Sequence, residues 1–365
     1  MTIEQMAKSP SPWLAAESEL SDSVVSSRVR LARNIEGLPY AHRANTQQLE
    51  QSLSLAREAI ENANSLKTGS FMLMSELDDL DRQFLVERHL ISHEHAENSS
   101  TRAIAIGDNE MISVMVNEED HLRLQSIQSG FQVMEAWRLV DRLDDELDAS
   151  LKYAFSYEWG YLSACPTNTG TGLRASMLVH LPGLILTKQI EKVIHSITQM
   201  GLAVRGFFGE GSEVVGNLFQ ISNRTSLGTS EIDIVQSLEK VVKQVLEYER
   251  RARDILLRNA RFEIEDKVWR AYGILKYCRK VTWKDVMSYA SAVRLGVSLG
   301  VIDGLSVAKL NEMIFMTQPA HLQKRYGRKM DPGERDVVRA EMIRKMLTED
   351  GKQASGDAAQ MGEAS

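Results

Sequence analysis

The stretch VNEEDHLRL, residues 116–124, sets three carboxylates side by side directly after an apolar run: Glu118, Glu119 and Asp120, followed by His121 and Arg123. Adjacent carboxylates repel each other. A strand end that carries three is therefore either a solvated turn or a place built to hold a cation. That cation can be a guanidinium or ammonium group clamped by carboxylates, or a magnesium ion. His121 alone reads more simply as a packed or capping histidine than as a catalyst.

Three other stretches carry complementary chemistry. In SSRVRLAR (26–33), Arg28 and Arg30 alternate and so share one side of a strand. Guanidinium forks suit phosphate oxygens, although an edge strand with solvated charges is the simpler reading of this stretch by itself. In CPTNTGTGLRAS (165–176), Gly170 and Gly172 flank Thr171 ahead of a strand bearing Arg174. Such a loop can offer backbone N–H groups to phosphates. It is not a GxxxxGK[ST] loop, and no Lys lies nearby. Cys165 beside it reads as a buried thiol, but its position makes it a candidate site residue. In RGFFGEGSEVVG (205–216), Glu210 and Glu213 sit in a glycine-rich loop where backbone and carboxylate can both approach a ligand; a solvated hairpin is the alternative. Together these are arginines for a polyphosphate, carboxylates for a cation and glycine loops to close over both. That is the composition of a phosphoryl-transfer site that clamps charge.

These stretches need elements to position them. Residues 47–62 read as an amphipathic helix with Leu49, Leu53, Ala56 and Ile60 on one face. FMLMSEL (71–77) reads as a strand and 77–90 as a helix. RAIAI (102–106) and MISVMV (111–116) are strands joined by the turn GDNE, and 122–128 alternates as a further strand. Helices follow over 131–149, 189–201 and 229–258, with strands at 173–181, 202–208 and 217–223. The pattern gives an α+β domain whose mostly antiparallel sheet is flanked by helices. From about residue 255 onward the pattern is helical, a small all-α C-terminal domain, with Thr282 and Asp285 spaced as a helix N-cap pair.

The length of 365 residues suits two domains with cores of their own. Cys165 and Cys278 are too few for a disulfide framework and form no zinc motif. No basic segment leads into an apolar run at the N-terminus, and no stretch approaches the roughly 18–20 apolar residues of a membrane span. We expect a cytoplasmic protein with no membrane or direct nucleic-acid partner. The net charge of −7 is uneven: residues 250–345 hold 21 Lys and Arg against 11 Asp and Glu. This suggests an anion-binding module or electrostatic docking between parts, unless it is only a solvated helical surface.

SSRVRLAR, VNEEDHLR, CPTNTGTGLRAS and GEGSEVVGNLFQISN, in that order, resemble the catalytic domain of the phosphagen kinases, the creatine and arginine kinase family. The resemblance spans roughly residues 24–254, after a lead-in at 1–23, and implies the guanidino kinase fold. It departs from the small-molecule enzymes in two ways. Only some 23 residues precede SSRVR, where those enzymes carry a helical domain. The chain instead carries a helical extension, 255–349, containing RDVVRA, with a polar tail at 350–365 expected to be disordered. This arrangement resembles the bacterial protein-arginine kinases, whose RDxxRA motif binds phosphoarginine.

The resemblance implies that Glu119 is the base that aligns the guanidinium and takes its proton, with Glu210 or Glu213 on the other side and Cys165 tuning its electrostatics. ATP is gripped, on this reading, by Ser26, Ser27, Arg28, Val29 and Arg30, by His89, Arg123 and Arg174 with Ala175, Ser176, Met177 and Leu178, and by Arg205, Gly206, Phe207, Phe208, Gly209 and Glu210. Phe208 stands where the small-molecule enzymes have a nucleotide-binding arginine, so Arg205 is expected to supply that contact. Mg2+ is carried on the phosphates, with no direct protein ligand. Arg335, Asp336, Arg339 and Ala340 are the implied phosphoarginine site, Arg335 taking the phosphoryl group and Asp336 the guanidinium, with positive feedback on activity.

The implied activity is phosphorylation of exposed arginines in proteins, marking them for a Clp-type unfoldase and protease and acting on a heat-shock repressor. A zinc-finger-type activator and a homodimer built by the C-terminal domain are the implied partners. A phosphagen kinase acting on free arginine, and a non-catalytic phosphoarginine-binding adaptor, are the alternatives. A guanidino-modifying hydrolase or amidinotransferase fits the arginine cluster less well.

Overall fold

In the computed structural model, which describes residues 2–18, 20–97, 101–207 and 214–362, the N-terminal segment is anchored on the sheet domain. Thr2 and Gln5 cap each other's backbone at the start of α1 (Ile3–Met6). Pro12–Leu14 make one 3-10 turn that buries Trp13 and Leu14 in a cluster with Val25 and Ile127. Ser9 O and Ser11 Oγ bind the buried Arg88–Glu110 ion pair. Ile3, Met6, Ala7, Trp13 and Leu14 are too few to give a readable periodicity, yet all are buried.

The strands form one eight-stranded sheet in the order β2-β3-β4-β5-β1-β8-β10-β9, every pairing antiparallel. They are β1 (Val24–Arg33), β2 (Ser70–Leu73), β3 (Ala103–Ile106), β4 (Ile112–Val116), β5 (Leu122–Ser129), β8 (Leu173–His180), β9 (Leu202–Arg205) and β10 (Leu218–Asn223). β6 (Phe155–Ser156) and β7 (Gly160–Tyr161) make a separate small hairpin. The expected strand at 71–77 stops at Leu73, where Met74–Glu76 turn as a 3-10 helix.

One sheet face is covered by α2 (Thr46–Asn62), α5 (Val133–Asp148) and α8 (Glu231–Asn259). Their apolar stripes recur at three and four residues, as in Val133, Ala136, Val140, Leu143 and Leu147, and meet Val29, Leu31, Ala175 and Met177 from the strands. The opposite face carries the arginines. α3 (Asp79–Glu87), α4 (His93–Glu97), α6 (Pro182–Leu186) and α7 (Ile190–Gln199) complete this part.

α8 crosses between two cores. Its residues through Ala252 belong to the sheet's core, and Leu256 joins a second core built by α9 (Arg261–Tyr277), α10 (Trp283–Ser298), α11 (Val307–Met316), α12 (Pro319–Tyr326) and α13 (Pro332–Gly362). Thr282 and Asp285 form the expected capping box. α13 as it stands spans Pro332–Gly362 and so takes in residues 350–362.

Charge docks the two parts. Lys324 pairs with Asp81, Arg253 with Asp22, and Arg294 donates to the carbonyls of Ser21 and Asp22. No helix among the described residues is long and apolar enough to cross a membrane.

Candidate functional site

The uncovered sheet face forms the floor of a cavity of about 500 Å3. β1 supplies Arg28 and Arg30, β5 Arg123 and Gln125, β8 Arg174, β9 Arg205 and β10 Gln220. β1 lies in the middle of the sheet, which corrects the edge-strand reading and brings both its arginines inward. Arg30 sits directly opposite Arg174 in the ladder. Like charges so placed repel. Burial, and then Arg123, pull Arg28 down to about 10; burial, Arg123 and Arg28 push Arg30 well below its ordinary value. Among the described residues, Arg30 Nε and Arg174 Nε are buried without a hydrogen-bond partner. The cavity is short of negative charge, which a polyphosphate supplies.

Period-two alternation divides the residues expected at the nucleotide. Ser26, Ser176 and Leu178 line a small hollow beside Arg28. Val29, Ala175 and Met177 lie in the helix-covered core, and Ser27 Oγ donates to Gly130 O. These last four side chains face away from the cavity, so only their backbone can serve it. His89, with φ of 60°, has its ring edge-on to Trp13 and Phe207 at 5.6 and 5.5 Å. Burial first, then Arg28, bring it down to about 3. Phe207 is buried in the same cluster. Phe208, Gly209, Glu210 and Glu213 lie outside the described residues.

The turn between β4 and β5 distributes its carboxylates. Both Glu118 oxygens accept from Arg123 Nη1 at 2.6 and 2.5 Å, and Ser92 Oγ also donates to it. Burial alone would raise Glu118, but Arg123 and Ser92 hold it down to about 2. Asp120 accepts from Asn34 Nδ2, Ser163 Oγ and Ala164 N at 2.6, 2.9 and 2.7 Å. His121 Nδ1 accepts from Ile35 N, so its Nε2 carries the proton given to Pro39 O; it is the packed histidine expected. Glu119 alone is left exposed at the cavity wall. Burial, then Asp120 and Glu118, raise its carboxyl against the lowering effects of Arg123 and a Cys165 hydrogen bond.

Cys165 is half-buried, with Sγ 3.1 Å from Thr167 Oγ1. Its loop lies flat on β1. A Cβ on Gly172, at φ 68°, would meet Ala32 O at 2.6 Å. Arg33 holds the loop from behind: Nη1 donates to Thr171 O at 2.8 Å, the guanidinium stacks on Tyr161 with 3.6 Å to its centroid, and Asp144 neutralises it. Sequence reasoning missed Arg33. Its phase is opposite to that of Arg28 and Arg30, so it points into the apolar side, where a charge requires a partner.

Among the described residues no group of three or more His, Cys, Asp or Glu is arranged to hold a metal. The arginine-dominated lining fits a magnesium ion carried on phosphate oxygens and water.

In α13, Arg339 is 2% exposed and donates to Thr317 O, Val281 O and Asp336 Oδ1 at 2.8, 3.0 and 2.6 Å. One oxygen of Asp336 thus pairs with Arg339, and Ala340 is buried. Arg335 is half-buried, with one donor on Met330 O.

The model of the ATP:guanido phosphotransferase C-terminal catalytic domain matches residues 51–252. The chain belongs to the ATP:guanido phosphotransferase family. The match begins after β1, although β1 carries the two central arginines of this phosphotransferase fold. Residues 261–357 match the C-terminal domain of protein-arginine kinase McsB. The protein-arginine kinase of Halothermothrix orenii is 44% identical over 93% of this chain and 97% of its own. That of Symbiobacterium thermophilum is 45% identical over 94% of this chain and 99% of its own. The duplicated taurocyamine kinase of Schistosoma mansoni, solved with transition-state analogue components, superimposes with a TM-score of 0.60 at 25% identity, covering 64% of this chain and 34% of that one.

Proposed function

We propose that this guanidino phosphotransferase moves the γ-phosphoryl group of ATP to arginine side chains of proteins. The observation that carries the reading is Glu119: in its turn it is the carboxylate left without a scaffold role, at the wall of an arginine-lined cavity, with Cys165 within hydrogen-bonding reach. A guanidinium is a poor nucleophile because it stays protonated, with a pKa of roughly 12.5–13.8. Glu119 aligns it and accepts its proton as the terminal nitrogen bonds to the γ-phosphorus and the bond to the bridging β–γ oxygen breaks, releasing ADP. Arg28, Arg30, Arg123, Arg174 and Arg205 hold the phosphates and the charge on the transferring oxygens without reorganising. Magnesium on the phosphates supplies further charge neutralisation. The substrate class rests on the names of the full-length relatives.

Further parts of the reading rest on the resemblance. The phosphorylated proteins pass to a Clp-type protease in the cytoplasm, a heat-shock repressor is among the substrates, and a zinc-finger-type protein activates the enzyme. Arg335 meets the phosphoryl group of phosphoarginine and feeds back on activity. Phe262, Trp269 and Tyr277, exposed along α9, support a homodimer through the helical domain.

The test is acceptor chemistry. A protein with surface arginines should take up phosphate from ATP, and the same protein with those arginines changed to lysine should not. Equal uptake by both would overturn the proposal. Preference for free arginine over the protein would favour the phosphagen kinase reading.

A further inference from the structure

Between α5 and the Cys165 loop, the β6–β7 hairpin turns aromatic side chains toward water. Tyr157 is fully exposed, and Phe155 and Trp159 are 51% and 49% exposed, whereas Trp13 and Phe84 are buried. Three of the rings pack on one another. Phe155 stands edge-on to Tyr157 and Tyr161, with centroids 5.8 and 5.3 Å apart, and Tyr161 is backed by the Arg33 guanidinium. An exposed aromatic cluster marks a contact surface.

The hairpin pairs with the loop whose Cys165, Thr167 and Asn168 line the catalytic cavity. Tyr161 and Gly170 exchange two backbone hydrogen bonds, at 2.7 and 3.2 Å, and Leu162 N donates to Ala154 O at 2.9 Å. The backbones touch: a Cβ on Gly160 would strike Gly170 O at 2.5 Å. Only residues 162–164 separate Tyr161 from Cys165, and Ser163 and Ala164 both bind Asp120, the neighbour of Glu119. The aromatic surface is thus continuous with the segment that carries the reacting carboxylate.

Charge narrows the occupant. The C-terminal end of α5 carries Asp145 and Asp148, Asp148 lines a hollow with Phe155 and Tyr161, and Glu158 sits at the hairpin's tip. The hollow is open, about 590 Å3, with Lys152, paired to Glu36, on its rim. Aromatic faces accept both apolar side chains and cations, and the carboxylates favour cations.

We propose that this hairpin docks the polypeptide on either side of the acceptor arginine, selecting a locally unfolded segment in which apolar and cationic side chains flank it. The proposal rests on the reading of Glu119 as the acceptor site. In folded proteins such apolar neighbours are buried, so the surface favours chains that have lost structure. A lone arginine reaches Glu119 without touching Tyr157 or Trp159, so these residues act on the KM of polypeptides.

The test uses the full chain and two peptides of equal length, each with one arginine. One has Leu, Phe and Lys around it, the other Ser, Gly and Glu. N-acetyl-arginine amide is the minimal acceptor. Tyr157→Ser and Trp159→Ser are exposed-site variants whose folding is checked by thermal melting. The wild type should show a KM about 10-fold lower for the first peptide, a step worth about 1.4 kcal/mol. Each variant should raise that KM several-fold, with kcat and turnover of the minimal acceptor unchanged. Weak turnover of the minimal acceptor, equal in all three proteins, supports the proposal too. Unchanged peptide KM in both variants overturns it, as does a parallel loss with the minimal acceptor. Variants that halve the mass in solution would make the hairpin an interface between copies and overturn it as well. Failure of the wild type to phosphorylate any of the three acceptors would instead overturn the reading of the Glu119 site.

Discussion

The Glu87 carboxylate accepts from His321 Nδ1 at 2.9 Å and from the backbone N–H groups of Ala320 and His321 at the start of α12. Glu87 ends α3, two residues before His89 in the cavity wall, and His321 belongs to the helical part. Arg339 reaches the same junction through Thr317 O. A carboxylate at a helix N-terminus satisfies orphan donors and the helix dipole. We predict that Glu87→Ala lowers stability to urea by about 1–3 kcal/mol and raises the KM for ATP. Unchanged values for both would show that the junction does not position His89.

The unpaired arginines make an unusual prediction for the protein without nucleotide. Arg30→Met relieves repulsion from Arg28, Arg123 and Arg174, so the melting temperature of the free protein should hold or rise. The same change should raise the KM for ATP at least about 10-fold and shrink the stabilisation that ATP gives, read by thermal shift. A destabilised free protein with normal ATP binding would show that Arg30 is structural.

Glu118 gives a pH signature. Its folded value, about 2, lies below the ordinary 4.5. A depressed carboxylate contributes stability that is full above 4.5 and lost as pH falls toward 2. Urea unfolding of the wild type should weaken across that window, and Glu118→Gln should flatten this part of the curve. Identical pH dependence in both proteins would place the acid sensitivity elsewhere.

Arg33→Met leaves the buried Asp144 without its cation. We expect a loss of about 3–5 kcal/mol, with much of it restored by Asp144→Asn in the same chain. Simple additivity of the two changes would mean that Arg33 and Asp144 do not act as a pair.

Local patterns in the sequence located much of this site. Period two put Arg28 and Arg30 on one face, the apolar stripes fell within a few residues of α2, α5 and α8, and Thr282 capped α10 as read. What stayed hidden depends on contacts distant in sequence. β1 is central because β5 and β8 flank it, and nothing within SSRVRLAR encodes that. Glu118, Glu119 and Asp120 differ because Ser92, Asn34, Ser163 and Arg123 reach two of them. Nothing in RDVVRA foretells that the carbonyls of Val281 and Thr317 accept from Arg339. Trp13 anchors the N-terminal segment through a pocket made by residues far along the chain.

The most direct test of the central claim is phosphorus NMR of the purified chain with Mg-ATP and an arginine-bearing protein, beside Glu119→Gln. We predict an acid-labile P–N signal of phosphoarginine from the wild type and its loss in the variant, with ATP binding retained. An equal signal from the variant would contradict the assignment of Glu119 as the base.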